Sequence, residues 1–174
     1  MQDIADEAGI NKALLHYYFR SKEKLFELIF FEVFDVVIPQ LKATVSTDQL
    51  VAEKIKAFVS TYIDVIQANP HVPIFILHEL SQGADRFVEK LKQRQVLPEM
   101  AQFMLQLMSE MEAGKVKSFQ PLHLFMNIIS MCAFPFVAKP LLQAVSGLSE
   151  EDWTVLMDER KEEVTRFILS AIKK

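Results

Sequence analysis

The sequence predicts an all-α fold, a helix-turn-helix head followed by a helical bundle, and three observations carry that prediction. Apolar residues recur at spacings of three and four through every long segment. Only four Gly and seven Pro interrupt 174 residues. No run alternates apolar and polar residues between Asn-Gly or Asp-Gly turns. Hydrophobic residues make up 51% of the chain, enough at this length for one or two buried cores.

The first element, Met1 to Ala8, reads as a helix already in progress, with Ile4, Ala5 and Ala8 on one face and Asp3, Asp6 and Glu7 on the other. Gly9 takes the left-handed conformation that closes a helix, and Asn11 is a strong N-cap for the next. Ile10 and Leu15 hold the two positions of a hydrophobic staple. A short helix from Asn11 to Phe19 anchors inward through Leu15 and Phe19, leaving Lys12, Ala13, His16, Tyr17 and Arg20 outside. This is the grammar of a helix-turn-helix.

Ser21 caps a third helix from Lys22 to about Val37, which the Ile38-Pro39 pair is expected to end. Phe26, Phe30 and Phe34 form one stripe on it, and Leu25, Ile29, Val33 and Val36 a second. Ser46-Thr47-Asp48-Gln49 has the spacing of a capping box for a helix that Asn69-Pro70 stops. A short apolar helix follows from about Pro73 to Ser81, ended at Gln82-Gly83. The stretch from Ala84 to Glu112 is amphipathic, with Phe87, Leu91, Met100, Phe103, Met104, Leu107, Met108 and Met111 inward and Pro98 as the expected break. Gly114 to Ser118 is a basic loop. Pro121 to Ala144 is apolar nearly all round, interrupted by Pro135 and Pro140. Ser149 caps a last helix whose inner side shows Trp153, Leu156, Met157, Arg160, Val164, Phe167, Ile168 and Ala171.

The formal charge of -4 excludes a protein that coats nucleic acid with its whole surface. Any such contact is local, and the charge is distributed accordingly. Residues 1–10 carry Asp3, Asp6 and Glu7, whereas residues 11–24 carry Lys12, Arg20, Lys22 and Lys24 against Glu23 alone. A single cysteine, Cys132, rules out an internal disulfide framework and suits a reducing cytosol. The longest nearly apolar run, residues 128–138, is shorter than the roughly 20 residues of a spanning helix, so a soluble protein with no membrane partner is expected. His78-Glu79 lacks a second His four residues on, where Gln82 stands, and His71, His78 and His123 have no ligand-like spacing. The expectation is no metal, no cofactor and no catalysis.

Gly9-Ile10-Asn11-Lys12 through Tyr18-Phe19-Arg20-Ser21-Lys22 closely resembles the helix-turn-helix of the TetR/AcrR family of bacterial transcriptional regulators. Ile4, Ala5, Ala8, Gly9, Tyr18, Phe19 and Lys22 match the family pattern directly, and the later helices resemble it in number and length only. Two positions depart: Asn11 stands where the family usually has Ser or Thr, and His16 where it usually has Tyr. The family also places a further helix before the one that Met1 opens in mid-course, so the resemblance implies a truncated head over residues 1–24 and an effector-binding and dimerisation bundle over residues 25–174.

The resemblance implies a ligand-responsive regulator in the bacterial cytoplasm, a repressor released from a palindromic operator by a small apolar effector. Asn11, Lys12, Ala13, His16, Tyr17, Tyr18 and Lys22 would contact double-stranded DNA. Among these, Lys12 is placed to donate to guanine and Lys22 to bind phosphate at a helix start. Polar or deformable groups within apolar helices, namely Tyr62, His78, Phe103, Met104, Asn127 and Met131, are the expected ligand contacts, and the row Met100, Met104, Met108 and Met111 suits an apolar ligand. Palindrome reading implies a homodimer, formed through Phe125, Ile129, Phe136, Trp153, Leu156, Arg160, Val164 and Phe167. The helix from Lys22 to Val37 would join pocket to head. The alternative is a helical ligand-binding or interaction protein that does not bind DNA.

Overall fold

The computed structural model describes the backbone of all 174 residues and every side chain except those of Phe30, Gln82, Arg86 and Lys90. Among the described residues the chain forms ten helices: α1 Gln2–Glu7, α2 Lys12–Phe19, α3 Lys22–Val45, α4 Val51–Ala68, α5 Val72–Gln82, α6 Ala84–Gln93, α7 Val96–Glu112, α8 Pro121–Val137, α9 Lys139–Ser146 and α10 Glu150–Ile172. The only extended pairing among them is an isolated antiparallel bridge between Val116 and Lys173. The chain divides into two compact units, residues 1–36 and 37–174, and the division falls inside α3 rather than at its start.

In the first unit Ala5, Leu15 and Leu25 form a small core, with Met1, Ile4 and Phe19 packed against it. A methyl group at Ala5 is small enough to bring α1 and α2 close together. Gly9 has φ +65°; its N–H donates to the Asp6 carbonyl and the Ile10 N–H donates to that of Ala5, a complete Schellman closure. Asn11 then caps α2, its Oδ1 accepting from the Ala13 N–H at 2.7 Å. Ser21 caps α3 in the same manner, accepting from the Lys24 N–H at 3.2 Å. Both expected caps form.

Helix α3 does not stop at Ile38. It continues through Pro39 to Val45. Pro39 and Asp35, four residues apart, lie on the same exposed face, where water can take the place of the N–H that proline lacks. Val37 is buried and Leu41 half-buried on the opposite side, so packing holds the helix together past the proline. Of the expected aromatic stripe, Phe34 is buried, and Phe30 lies outside the described residues.

The second unit is built around α4, which contacts α7, α8 and α10. Val51, Ile55, Val59, Ile63 and Ile66 are nearly inaccessible, and Tyr62 and Val65 are buried beside them. Trp153, Met157, Val164 and Ile168 of α10 and Leu124, Ile128, Cys132 and Phe136 of α8 complete the core. The expected capping box at residues 46–49 does not form. The N-cap of α4 is Leu50, which has no side chain able to cap, and the buried carboxylate of Glu110 in α7 accepts from the Val51 N–H at 3.1 Å instead. Ser149 does cap α10, in a reciprocal box with Asp152.

The break in residues 84–112 comes at Gln95, with φ +54°, and not at Pro98. Pro98 occupies the first turn of α7, where helical N–H groups have no partner anyway. Met108, expected inward, is 48% exposed, as are Leu156 at 40% and Phe167 at 60%. Among the described residues no single helix is long and apolar enough to cross a membrane; α8 and α9 reach that length and composition only as a pair bent by 68°.

Pro135 sits inside α8 and is buried. Lacking an N–H, it leaves the carbonyl of Met131, one turn earlier, without its helical donor. Arg160 of α10 supplies two: its Nε and Nη2 donate to the Met131 carbonyl at 3.1 and 2.8 Å. Charged donors to a partly buried carbonyl are stronger than neutral ones, so Arg160→Leu is expected to cost about 1–3 kcal/mol in urea unfolding. The cost should shrink in a Pro135→Ala background, where the restored N–H satisfies Met131. Equal costs in both backgrounds would contradict the assignment.

Candidate functional site

The exposed face of α2 gathers most of the residues expected to touch a partner. Lys12, Ala13, His16, Tyr17 and Tyr18 are all exposed, and Lys22 is exposed in the first turn of α3. Tyr17 and Tyr18 are 70% and 67% accessible, their rings meeting edge to face at 5.3 Å. Two aromatic hydroxyls standing this far into solvent are not explained by packing. Asn11 uses its Oδ1 for the cap, which leaves its amide nitrogen to donate outward. A capped helix two turns long, held by one buried leucine and bearing lysine, histidine and tyrosine outward, is shaped to enter a groove.

The six expected ligand contacts do not converge. Tyr62 and Phe103 are buried in the second unit, the Tyr62 ring 5.8 Å from that of Phe58. Burial pushes the Tyr62 phenol above its usual range, so it stays neutral. Met131 is half-buried, with its carbonyl taken by Arg160. His78 and Asn127 lie on exposed faces. Met104 borders a cavity. That cavity is an open groove of about 400 Å³ between the first turns of α7 and α8, lined by Leu97, Met100, Ala101, Met104, Gln120, Pro121 and Leu122. The spacing of residues 97, 100, 101 and 104 is helical and could have marked it, but the methionine row pointed on to Met108, which lies outside.

The opposite side of α7 carries polar residues that sequence patterning missed. Glu99 accepts from the Ser46 hydroxyl at 2.7 Å and pairs with Lys42 at 3.4 Å, gripping the C-terminal end of α3. Ser46 and Lys42 together hold its carboxyl below the usual carboxylate value, the hydroxyl more than the amine. Farther along, Gln106 accepts from buried Lys54 at 2.6 Å and donates to Glu110 at 3.0 Å and to the Gln49 carbonyl at 2.8 Å. Glu99, Gln106 and Glu110 thus lie along the side of α7 that meets the α3–α4 corner. Pairing over more than fifty residues of sequence leaves no local signal.

Of the eight expected interface residues, Phe136, Trp153 and Val164 are used by the chain's own core, and Arg160 is engaged with Met131. Phe125 and Ile129 are half-buried, and Leu156 and Phe167 are exposed. Their apolar neighbours in the open are Leu122, Met126 and Phe134 of α8 and Leu141 and Val145 of α9, the last 81% accessible. Cys132 is fully buried and its thiol is pushed up to about 12, chiefly by burial, so it packs as a small hydrophobe. Among the described residues no three His, Cys, Asp or Glu come together as metal ligands.

Two family models match this chain. That of the bacterial regulatory proteins, tetR family, covers residues 1–29, and that of the YcdC-like protein C-terminal region covers residues 32–174. The HTH-type transcriptional regulator RutR of Escherichia coli K12 is 25% identical over 175 residues, spanning 99% of this chain and 80% of RutR. RutR of Shigella flexneri matches to the same extent. Among solved structures, the ketosteroid transcriptional regulator KstR2 of Mycobacterium tuberculosis aligns with a TM-score of 0.72 at 17% identity, over 99% of this chain and 84% of that one. A transcriptional regulator from Cytophaga hutchinsonii aligns with a TM-score of 0.58 at 19% identity, over 100% and 88%. These two likenesses are of fold.

The pairing of Glu99 predicts a pH dependence. A carboxyl lowered in the folded state adds stability that is present above its unfolded value of 4.5 and is lost as pH falls through the folded value. Glu99→Gln should therefore lower the melting temperature near neutrality, with the difference closing as pH falls below the carboxyl's unfolded value. A difference that stays constant across that range would show that Glu99 acts through something other than its charge.

Proposed function

The chain belongs to the TetR family of bacterial regulatory proteins, and on that premise we propose that it is a repressor released from a palindromic operator by an effector bound in the α7–α8 groove. As a member of that family it is a ligand-responsive DNA-binding regulator and acts by binding rather than by catalysis. The reading as an interaction protein without DNA binding is not favoured, because the tetR-family model extends over residues 1–29, the part that carries α2.

The observation that carries the proposal is the outward face of α2. Asn11, Lys12, Ala13 and His16 meet base edges from the N-terminal half of the helix, while Tyr17, Tyr18 and Lys22 reach the phosphates on either side. Within residues 1–36 every Lys and Arg falls between residues 11 and 24, which gives local attraction without general adhesion to nucleic acid. The site of action is the cytoplasm, where the operator is.

Regulators of this family typically dimerise. The proposed interface is the apolar surface of α8, α9 and α10 that the chain leaves uncovered, with Phe134, Leu141, Val145 and Phe167 at its centre. The effector acts through α7, which lines the groove with Met100 and Met104 and holds Lys42 of α3 and Ser46 just beyond it through Glu99. Helix α3 starts immediately after α2, so a shift of α7 is passed along α3. Such coupling requires the effector to bind the two dimer conformations with different affinity.

Two measurements test this on the protein as its gene encodes it. Operator fragments selected from a random duplex library should be bound with a steep salt dependence, and Lys22→Ala should weaken binding to all of them while lowering the slope of log K against log salt by about one. A slope unchanged by the substitution removes Lys22 from the phosphate contacts. Phe134→Glu combined with Phe167→Glu should leave folding intact and convert a sedimenting dimer to monomer at micromolar concentration; a dimer that persists places the interface elsewhere.

A further inference from the structure

We infer that Leu14 sets operator specificity by reading the C5-methyl group of a thymine in each half-site. The inference rests on α2 being the helix that enters the major groove. Leu14 is not among the residues the sequence marks for DNA contact, because a leucine beside the core residue Leu15 reads as core itself. The structure separates the two: Leu15 is 3% exposed and Leu14 is 49% exposed.

The direction of each side chain follows from the helix. Leu15 is buried in the small core of the first unit and Phe19 packs against that core, so these two define the inward side of α2. At about 100° per residue, Ala13, Leu14 and Tyr17 point farthest from that side, while His16 and Tyr18 leave from its two flanks. Ala13 and Leu14 stand in the first turn, directly after the Asn11 cap. That turn is the one whose side chains meet base edges when such a helix lies in a groove. The two residues that point farthest outward there are apolar, and Leu14 is the longer.

Chemistry then narrows the contact. Leu14 has no donor for a phosphate, and the exposed cations Arg20, Lys22 and Lys24 are available for that. On the floor of the major groove the apolar feature of an unmodified base pair is the thymine methyl. The edges of guanine, cytosine and adenine, set against Leu14, would lose the water that hydrogen-bonds them and gain nothing in return. The side chain that favours thymine thus disfavours the rest. A leucine alone on a surface is ordinary. Leu14 is not alone: Tyr17 and Tyr18, three and four residues on, are 70% and 67% accessible, and the three form one exposed ridge on a helix of eight residues. An apolar ridge with cations beside it matches a groove with phosphate walls and a methyl-bearing floor.

The test uses the full protein and the operators it selects from a random duplex library. The parent should fix a thymine in each half-site. Replacing that thymine by uracil in one half-site, which removes only the methyl, should weaken binding about fourfold in fluorescence anisotropy, the worth of one buried methyl-sized group. With Leu14→Ala the same replacement should leave affinity unchanged, and selection with this variant should lose the preference at that base pair while keeping the others. Leu14 is exposed, so the variant should keep its fold, which an unchanged circular dichroism spectrum checks. A uracil effect that survives in Leu14→Ala assigns the methyl to another side chain, and a parent indifferent to uracil at every thymine places Leu14 against sugar or solvent; either result overturns the inference. In both cases salt-dependent operator binding persists, and the reading of α2 as the DNA-contacting helix stands. Absence of salt-dependent binding to every duplex refutes that reading and the inference with it.

Discussion

A buried proline inside a helix creates an obligation, and the answer to it ties α8 to α10. Pro135 deprives the partly buried Met131 carbonyl of its helical donor, and the Arg160 guanidinium fills the gap from α10. The contrast with Pro39 is instructive. There the proline lies on an exposed face of α3 and the helix runs on to Val45. At Pro135 the same chemical defect has become a joint between α8 and α10, and those two helices, with α9, carry the apolar surface proposed for dimerisation. A guanidinium fits this role because its planar donors address one carbonyl from two directions.

Helix α4 provides the frame in which that joint is held. Its apolar residues are covered by α7, α8 and α10, and the N-terminal N–H of Val51 is satisfied by a carboxylate from α7 rather than by its own turn. The consequence is that α7 is fixed to the α3–α4 corner on one side through Glu99, Gln106 and Glu110 and is open along the groove on the other. In the proposed mechanism this helix is the lever, with occupancy on its open side transmitted where its polar side holds the end of α3.

The head was legible in the sequence because its signals are local. Gly9, Asn11 and Ser21 act on backbone groups within five residues, and the staple and anchors Ile10, Leu15 and Phe19 lie within two turns. The family resemblance rests on the same residues. The bundle was legible as helices but not as surfaces. The capping box at Ser46 had the right spacing and lost to Glu110, which lies fifty-nine residues beyond the Val51 N–H it accepts from. Arg160 reads as one of the residues on the inner side of the last helix, and its bond to the Met131 carbonyl is legible only through the position of Pro135, 25 residues earlier. Phe136, Trp153 and Val164 have the composition of an interface and the burial of a core; periodicity does not distinguish which apolar stripe of a helix turns toward its own chain.

The central claim is that two copies of this chain present their α2 helices to one duplex. The most direct measurement is the affinity of the full protein for a selected operator as the spacing of its half-sites is changed. With half-sites one helical turn apart, roughly 34–36 Å, two chains should bind each duplex. Inserting about five base pairs, half a turn, should reduce affinity to that of unrelated DNA. Affinity indifferent to spacing, or one chain per duplex, would contradict the account.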